Sequence, residues 1–324
     1  MYHSEHEFAA EVVADACRLG QRVQADVAGG GRSVAKEDRS PVTIADLAIQ
    51  AVIAHRLAAR FPSDALLAEE ESEIIIREPS LGDSVLELAR HSVSDLSIDG
   101  VLTALDHGRH ASSERRWVLD PVDGTKGFLR GEQYAVALAM VVNGQVEVGL
   151  LGCPNLPNDG GGIGCIFSAR RGAGATVRSL DDTAESPVTV DDVIEPAEAV
   201  FCESVEAAHA AHSDQAEIAA RLGISRPSVR IDSQCKYAIV ARGDASIYLR
   251  LPSKRDYREK VWDHAAGSII IEEAGGRVSD LGGAPLDFSE GRHLGRHHGI
   301  VATNGRIHDQ VLRACREVLG LDAG

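Results

Sequence analysis

The chain lacks the spacings and runs that would place it in several large classes. Its six cysteines (Cys17, Cys153, Cys165, Cys202, Cys235 and Cys315) never fall into a paired two-residue spacing, which argues against a zinc ribbon or a redox couple and leaves reduced, structural thiols. The longest apolar run, Ala135 to Val142, is far short of the roughly 20 residues that span a bilayer, so no membrane segment is expected. The opening residues Met1-Tyr2-His3-Ser4-Glu5-His6-Glu7 are acidic where a signal peptide is basic, and no apolar stretch follows them, which predicts a cytoplasmic protein. Basic charge is scarce: 33 Lys and Arg face 49 Asp and Glu, a net charge of −16. Such a field repels polyanions and excludes a nucleic-acid polymer as partner. A small phosphorylated substrate would need metal ions and a few placed cations to meet its charge locally. There is no internal repeat and no low-complexity tract.

What is present is a two-lobed globular pattern, with 324 residues and 44% hydrophobic content. Phe8, Val12, Ala16, Leu19, Val23 and Val27 recur at helical spacing up to Gly29-Gly30-Gly31 and predict a first helix of about 25 residues. A second amphipathic helix follows Pro41 and Thr43 and ends near Phe61-Pro62. Ala65-Leu66-Leu67-Ala68 reads as a buried strand that delivers Glu69-Glu70-Glu71 at its carboxyl end, and Trp117-Val118-Leu119 as a strand running into Asp120. Residues 82–108 suggest one or two helices. Asn143-Gly144 between two apolar runs predicts a hairpin with a type I′ turn, and a second hairpin turns at 171–174. Beyond about residue 165 strands and helices alternate, with strands near 199–201, 229–231, 246–251 and 299–302. The expected organisation is an N-terminal α+β lobe over 1–165 and a C-terminal α/β lobe over 166–324. The acidic stretch 181–198 reads as a loop with a short helix. Gly160-Gly161-Gly162-Ile163-Gly164 superficially suggests a dinucleotide fingerprint, but it follows a loop and precedes a strand, so that reading fails.

Asp120-Pro121-Val122-Asp123-Gly124-Thr125 is the strongest local signal. Pro121 breaks the strand and Gly124 permits a sharp turn, so Asp120, the Val122 carbonyl and Asp123 can converge as hard oxygen ligands of the kind magnesium prefers. Gly124 and Thr125 then offer backbone N–H groups to a phosphate oxygen. Three further acidic positions have bland explanations when taken singly. Glu69-Glu70-Glu71 could be a solvated charge run and Asp263 a helix N-cap. Asp46, one turn into a helix and on the side away from Ile44 and Leu47, could be surface charge.

Jointly these sites resemble the lithium-sensitive, magnesium-dependent phosphatase superfamily that includes inositol monophosphatase, over roughly residues 36–303. Asp120–Thr125 with Trp262-Asp263-His264-Ala265-Ala266-Gly267 carries the superfamily likeness. Within it the chain is most similar to the 3′(2′),5′-bisphosphate nucleotidases, through Ser40–Asp46, the Lys126-Gly127-Phe128-Leu129-Arg130-Gly131 extension with Tyr134–Leu138, Asp232–Tyr237 and Lys260–Gly267. The resemblance implies the layered α/β/α/β/α sandwich, an α/β (α+β) fold, with the metal cluster where the lobes meet. It implies metal ligation by Glu69, Asp120, Val122 (through its carbonyl), Asp123 and Asp263. Glu69 and Glu70 could exchange roles; matching Ala68 to the small residue before the family's paired glutamates favours Glu69, with Glu70 orienting water behind it. Asp46 and Thr125 would act as a pair, the carboxylate taking the hydroxyl proton so that the threonine oxygen can accept one from the attacking water. Two magnesium ions roughly 3.5–4 Å apart, with a third, weaker one, would serve an in-line displacement without a covalent enzyme intermediate. Ser233 and Lys236 would contact phosphate, Arg250 would help enclose the ligand and His209 would sit beside the base. The implied reaction is hydrolysis of adenosine 3′,5′-bisphosphate, and of its sulfated precursor, by a lithium-sensitive monomer or homodimer. The alternatives are a phosphatase of the same fold acting on inositol phosphates, histidinol phosphate or a sugar bisphosphate, and a catalytically silent nucleotide-binding protein.

Overall fold

The structure is a computed structural model that describes residues 1–28, 33–35, 41–108, 113–158, 160–205, 212–252 and 257–321, without the side chains of 26–28, 33–35, 41–43 and 212. Two sheets organise it. The first has seven strands in the order Ala65–Ala68, Arg115–Asp123, Ala135–Val142, Gln145–Pro157, Ile163–Arg170, Gly174–Ser179 and Ser186–Val188; only its first pair is parallel. The second has five, in the order Val229–Arg230, Phe201–Glu203, Ile247–Arg250, Ile300–Thr303 and Arg277–Ser279, parallel over the first three and antiparallel beyond.

Helices cover every sheet face. His3–Ala28 and Ile44–Arg60 bury their apolar side chains against one face of the larger sheet, together with Pro79–Ala89 and Ile98–Leu105. Cys235–Ala241 and Ala265–Glu273 fill the middle layer between the sheets, and His212–Arg221 and His308–Leu319 close the far side of the smaller sheet. The result is the expected α/β/α/β/α sandwich. Burial on both faces explains why Ala135–Val142 reads as an unbroken apolar run rather than an alternating one. It also explains why every residue of Cys235–Ala241 is buried, a middle-layer helix having no solvent face.

Local signals place most boundaries well. The first helix spans 26 residues and the second runs from Ile44 to Arg60. The hairpin turns at Asn143 and Gly144 with φ of 51° and 79°, as a type I′ turn requires. Asn158 closes the glycine-rich segment by accepting from Gly160 N–H and Gly162 N–H, and the segment joins two antiparallel strands. Differences arise where pairing overrides local chemistry. The strand at 115–123 runs through Pro121, with a register shift instead of a stop. The 181–198 stretch contains, besides the short helix Pro196–Glu198, an edge strand Ser186–Val188. The strand expected at 199–201 lies at Phe201–Glu203.

Candidate active site

Parallel pairing of Ala68 with Leu119 sets Glu69 abreast of Asp120 at the carboxyl ends of adjacent strands. Beyond Asp120 the chain spends three residues, to Asp123, where its partner strand spends two, Ala137 to Ala135. This bulge brings Asp120, the Val122 carbonyl and Asp123 into one turn of chain. Gly124 follows at φ +89°, and a Cβ there would lie 2.8 Å from the Ser233 Cβ, so both conformation and space call for glycine. Thr125 Oγ1 donates to the Val122 carbonyl at 3.3 Å. Asp123 accepts the backbone N–H of Gln234, which ties this turn to the other half of the molecule.

Asp46 corrects the sequence expectation. It is 2% exposed and not on a solvent face, because the helix is enclosed from Ala45 through Ala54. One turn later, Gln50 accepts from Glu70 N–H at 2.9 Å and donates to Glu70 C=O at 2.8 Å. Asp46 and Gln50 share the helix face that meets the end of strand 65–68. Asp263 precedes its helix, which begins at Ala265, and His264 at the N-cap makes no capping bond, so Asp263 is not an N-cap either.

The carboxylates share one electrostatic field. Burial pushes Asp120 well above the ordinary carboxylate range, and Glu69, Asp123, Asp263 and Asp46 add to the push. Asp263 is raised by burial and by Asp123, against the pull of Arg250. Asp123 is raised by burial too, although Lys236, the Gln234 N–H and Arg250 oppose it. Asp120 Oδ1 is buried with no hydrogen-bond partner among the described residues. A buried, unpartnered carboxylate oxygen among like charges fits a divalent cation with oxygen ligands.

Cations flank this centre. Lys236 is 4% exposed, donates to the Ile231 carbonyl at 3.3 Å and lies 5.4 Å from the Tyr248 ring centroid; burial lowers its pKa. Ser233, beside it, adopts φ +66°, a strained conformation for a non-glycine residue, with Oγ accepting from Cys235 N–H at 3.1 Å. Burial would lower the Arg250 pKa, yet its pairing with Glu259 at 3.3 Å holds it well above the usual value. His209 lies outside the described residues.

Three contributors escape sequence reasoning. Arg292 donates to the Glu69 carbonyl at 3.2 Å and stacks over the Trp262 ring at 4.6 Å. Arg130, within the Lys126–Gly131 extension, donates to Asp232 at 2.6 Å, while Asp232 also accepts from Ser204 Oγ and Val205 N–H. Glu259 and His264 form a buried pair behind Arg250. None of these pairings is visible locally, although Arg130 lies in the Lys126–Gly131 extension, Asp232 in Asp232–Tyr237 and His264 in Trp262–Gly267.

The family described as the inositol monophosphatase family matches residues 4–319. A 3′(2′),5′-bisphosphate nucleotidase of Emericella nidulans is 43% identical over 352 aligned residues, covering 99% of both chains. One from Oryza sativa is 42% identical, covering 98% of this chain and 95% of that protein. The Thermotoga maritima IMPase superposes with a TM-score of 0.70 at 21% identity, over 98% of this chain and 99% of that one.

Proposed function

Since the chain belongs to the inositol monophosphatase family, we propose that it is a 3′(2′),5′-bisphosphate nucleotidase that hydrolyses adenosine 3′,5′-bisphosphate to AMP and phosphate, and acts on the sulfated precursor as well. One observation carries the reading: the strand ends and bulge that gather Glu69, Asp120 and Asp123 are joined, through the hydrogen bond from Gln234 N–H to Asp123, to the segment that holds Ser233 and the buried Lys236. Such a site can face two phosphates at once, one over the carboxylates through bridging cations and one against the basic side chains.

Glu69, Asp120, the Val122 carbonyl, Asp123 and Asp263 would hold magnesium, two ions with a third, weaker one. Magnesium supplies Lewis-acid stabilisation of phosphoryl charge and eases deprotonation of water. Asp46 takes the Thr125 hydroxyl proton, and the Thr125 oxygen takes one from the attacking water. The water oxygen forms the new P–O bond, the ester P–O bond breaks in line, and the ribose oxygen leaves taking a proton from solvent water, to which Asp46 afterwards releases the proton it accepted. Gly124 and Thr125 present backbone N–H groups to the phosphate under attack. Glu70, fixed through Gln50, orients water; Ser233, Lys236 and Arg250 hold the second phosphate, and His209 borders the base. A cytoplasmic monomer or homodimer completes the reading, and no helix of the described residues is long and apolar enough to cross a membrane.

The test is phosphate release with magnesium from adenosine 3′,5′-bisphosphate, its sulfated derivative, inositol 1-phosphate, histidinol phosphate and fructose 1,6-bisphosphate. Strong preference for the adenosine compounds, with inhibition by millimolar lithium, is expected. Preference for another member of the panel overturns the nucleotide pocket, and tight nucleotide binding without turnover makes this a binding protein.

A further inference from the structure

Beside the carboxylates runs a buried chain of polar side chains that the proposed chemistry leaves unused. Tyr237 Oη lies 2.7 Å from His264 Nδ1, His264 Nε2 lies 3.1 Å from Glu259 Oε2, and Glu259 reaches Arg250 Nε at 3.3 Å. Tyr237, His264 and Glu259 are at most 3% exposed. Groups buried this deeply are tolerated only when each finds its partner, and here each does. Glu259, Asp263 and His264 bring possible ligand atoms within 4.8 Å of one another, which on its own would suggest a cation. Both His264 ring nitrogens are already engaged, however, and Glu259 already faces a guanidinium. A metal ion there would have to evict Arg250.

We propose that Glu259, itself oriented by His264, is a positioning residue that aims the Arg250 guanidinium across the pocket at a phosphate of the substrate. The inference rests on the phosphatase reading above. Arg250 acts electrostatically on both Asp123 and Asp263, so without a counter-ion of its own it would be drawn onto those carboxylates and would neutralise the place where the cations belong. Glu259 competes with them for it, holding Arg250 Nε at 3.3 Å. Burial alone would raise the Glu259 pKa, but the His264 hydrogen bond and Arg250 keep it below the ordinary value, so it stays an anion. The far end of the chain is equally fixed. The Tyr237 ring packs so tightly on Gly267 that a Cβ there would come within 2.3 Å of Tyr237 Cγ. Lys236 immediately precedes Tyr237 and Asp263 immediately precedes His264. One hydrogen-bonded frame thus sets Lys236, Asp263 and Arg250 relative to one another.

The experiment is a double-mutant cycle of Glu259→Gln and Arg250→Gln. Each variant is assayed on whichever phosphomonoester of the panel the unsubstituted enzyme turns over fastest. Failure of the nucleotide reading then shows in the unsubstituted enzyme, and failure of the positioning inference shows in the cycle. Glu259→Gln should raise KM on the order of tenfold, the scale of one charge-assisted hydrogen bond, with kcat changed less than about threefold. The double variant should be no worse than Arg250→Gln alone. Additive losses in the double variant, or a fall in kcat at unchanged KM, overturn the inference. If Glu259→Gln does not fold, His264→Gln takes its place: KM should rise in the Arg250 background and stay level in the Arg250→Gln background. An equal rise in both backgrounds overturns the inference.

Discussion

Asp120 concentrates the electrostatic cost of the site. It is buried beside four other carboxylates, and one of its oxygens has no hydrogen-bond partner among the described residues. Replacing it with asparagine should therefore have opposite effects on two properties. Phosphate release should fall by at least about a hundredfold, since a ligand of the proposed cations is lost. The metal-free protein should meanwhile melt at a higher temperature than the unsubstituted one, because a repelled buried charge has been removed. Magnesium should raise the melting temperature of the unsubstituted protein and leave that of Asp120→Asn nearly unmoved. Scanning calorimetry with and without chelator reads both effects, and a metal-free variant less stable than its parent would contradict the charge assignment. At this same scale the sequence was readable wherever chemistry is local. Asp120 to Thr125 lie within one turn of chain, and Glu69 stands at a strand end. Asp46 was misplaced because periodicity tells apolar from polar faces only for a helix with solvent on one side, and this helix has none over 45–54. Arg292 and Glu69 are 223 residues apart and Arg130 and Asp232 are 102 apart, separations at which no local pattern operates.

Among the elements, the C-terminal helix His308–Leu319 carries a built-in acid sensitivity. His308 is enclosed between two hydroxyls: Ser279 Oγ, which donates to the Asp280 carbonyl and so accepts from Nε2, and Thr303 Oγ1, 2.9 Å from Nδ1, which can donate to that nitrogen when the ring is neutral. That arrangement suits a neutral ring. Burial, helped by Arg277 and opposed by Asp309, pushes the pKa down to about 4. The unfolded chain takes up the proton near pH 6.5, whereas the folded one waits until about 4. The His308 contribution is thus complete above the unfolded value and is lost as pH falls between the two, by roughly 3 kcal/mol. Denaturant melts of the parent from pH 7 to 4 should show this decline, and His308→Gln should flatten that part of the curve. Identical pH slopes for the two proteins would place the acid sensitivity elsewhere. Element identities were largely legible, because the apolar runs and the Asn143-Gly144 turn state their own geometry. The edge strand Ser186–Val188 was not, since a three-residue strand owes its form to its neighbour at 174–179.

Across the whole molecule, five layers leave no thiol near solvent. All six cysteines are free and buried. Burial pushes Cys202 and Cys315 up to about 12 and raises Cys17 strongly, while a hydrogen bond with Cys235 and burial raise Cys153. None of these four would be a thiolate at neutral pH. A chromogenic disulfide reagent should therefore label essentially no thiol in the native protein and all six after unfolding, with phosphate release unaffected by the native exposure. Rapid native labelling with loss of activity would reveal an opening motion that exposes the core.

The contact of Arg130 with Asp232 bears on how portable the Lys126–Gly131 segment is. Read as text, that segment looks like a self-contained label for nucleotide substrates, one that could be copied into a relative to change its preference. In space it is half of a clasp, whose other half holds Ser204 and Val205 and adjoins Ser233. A graft of the label alone would bring Arg130 without the Asp232 side of this contact. Transferring the segment intact between relatives therefore means moving both sides of the clasp together, a unit of inheritance scattered through the chain yet compact in the fold.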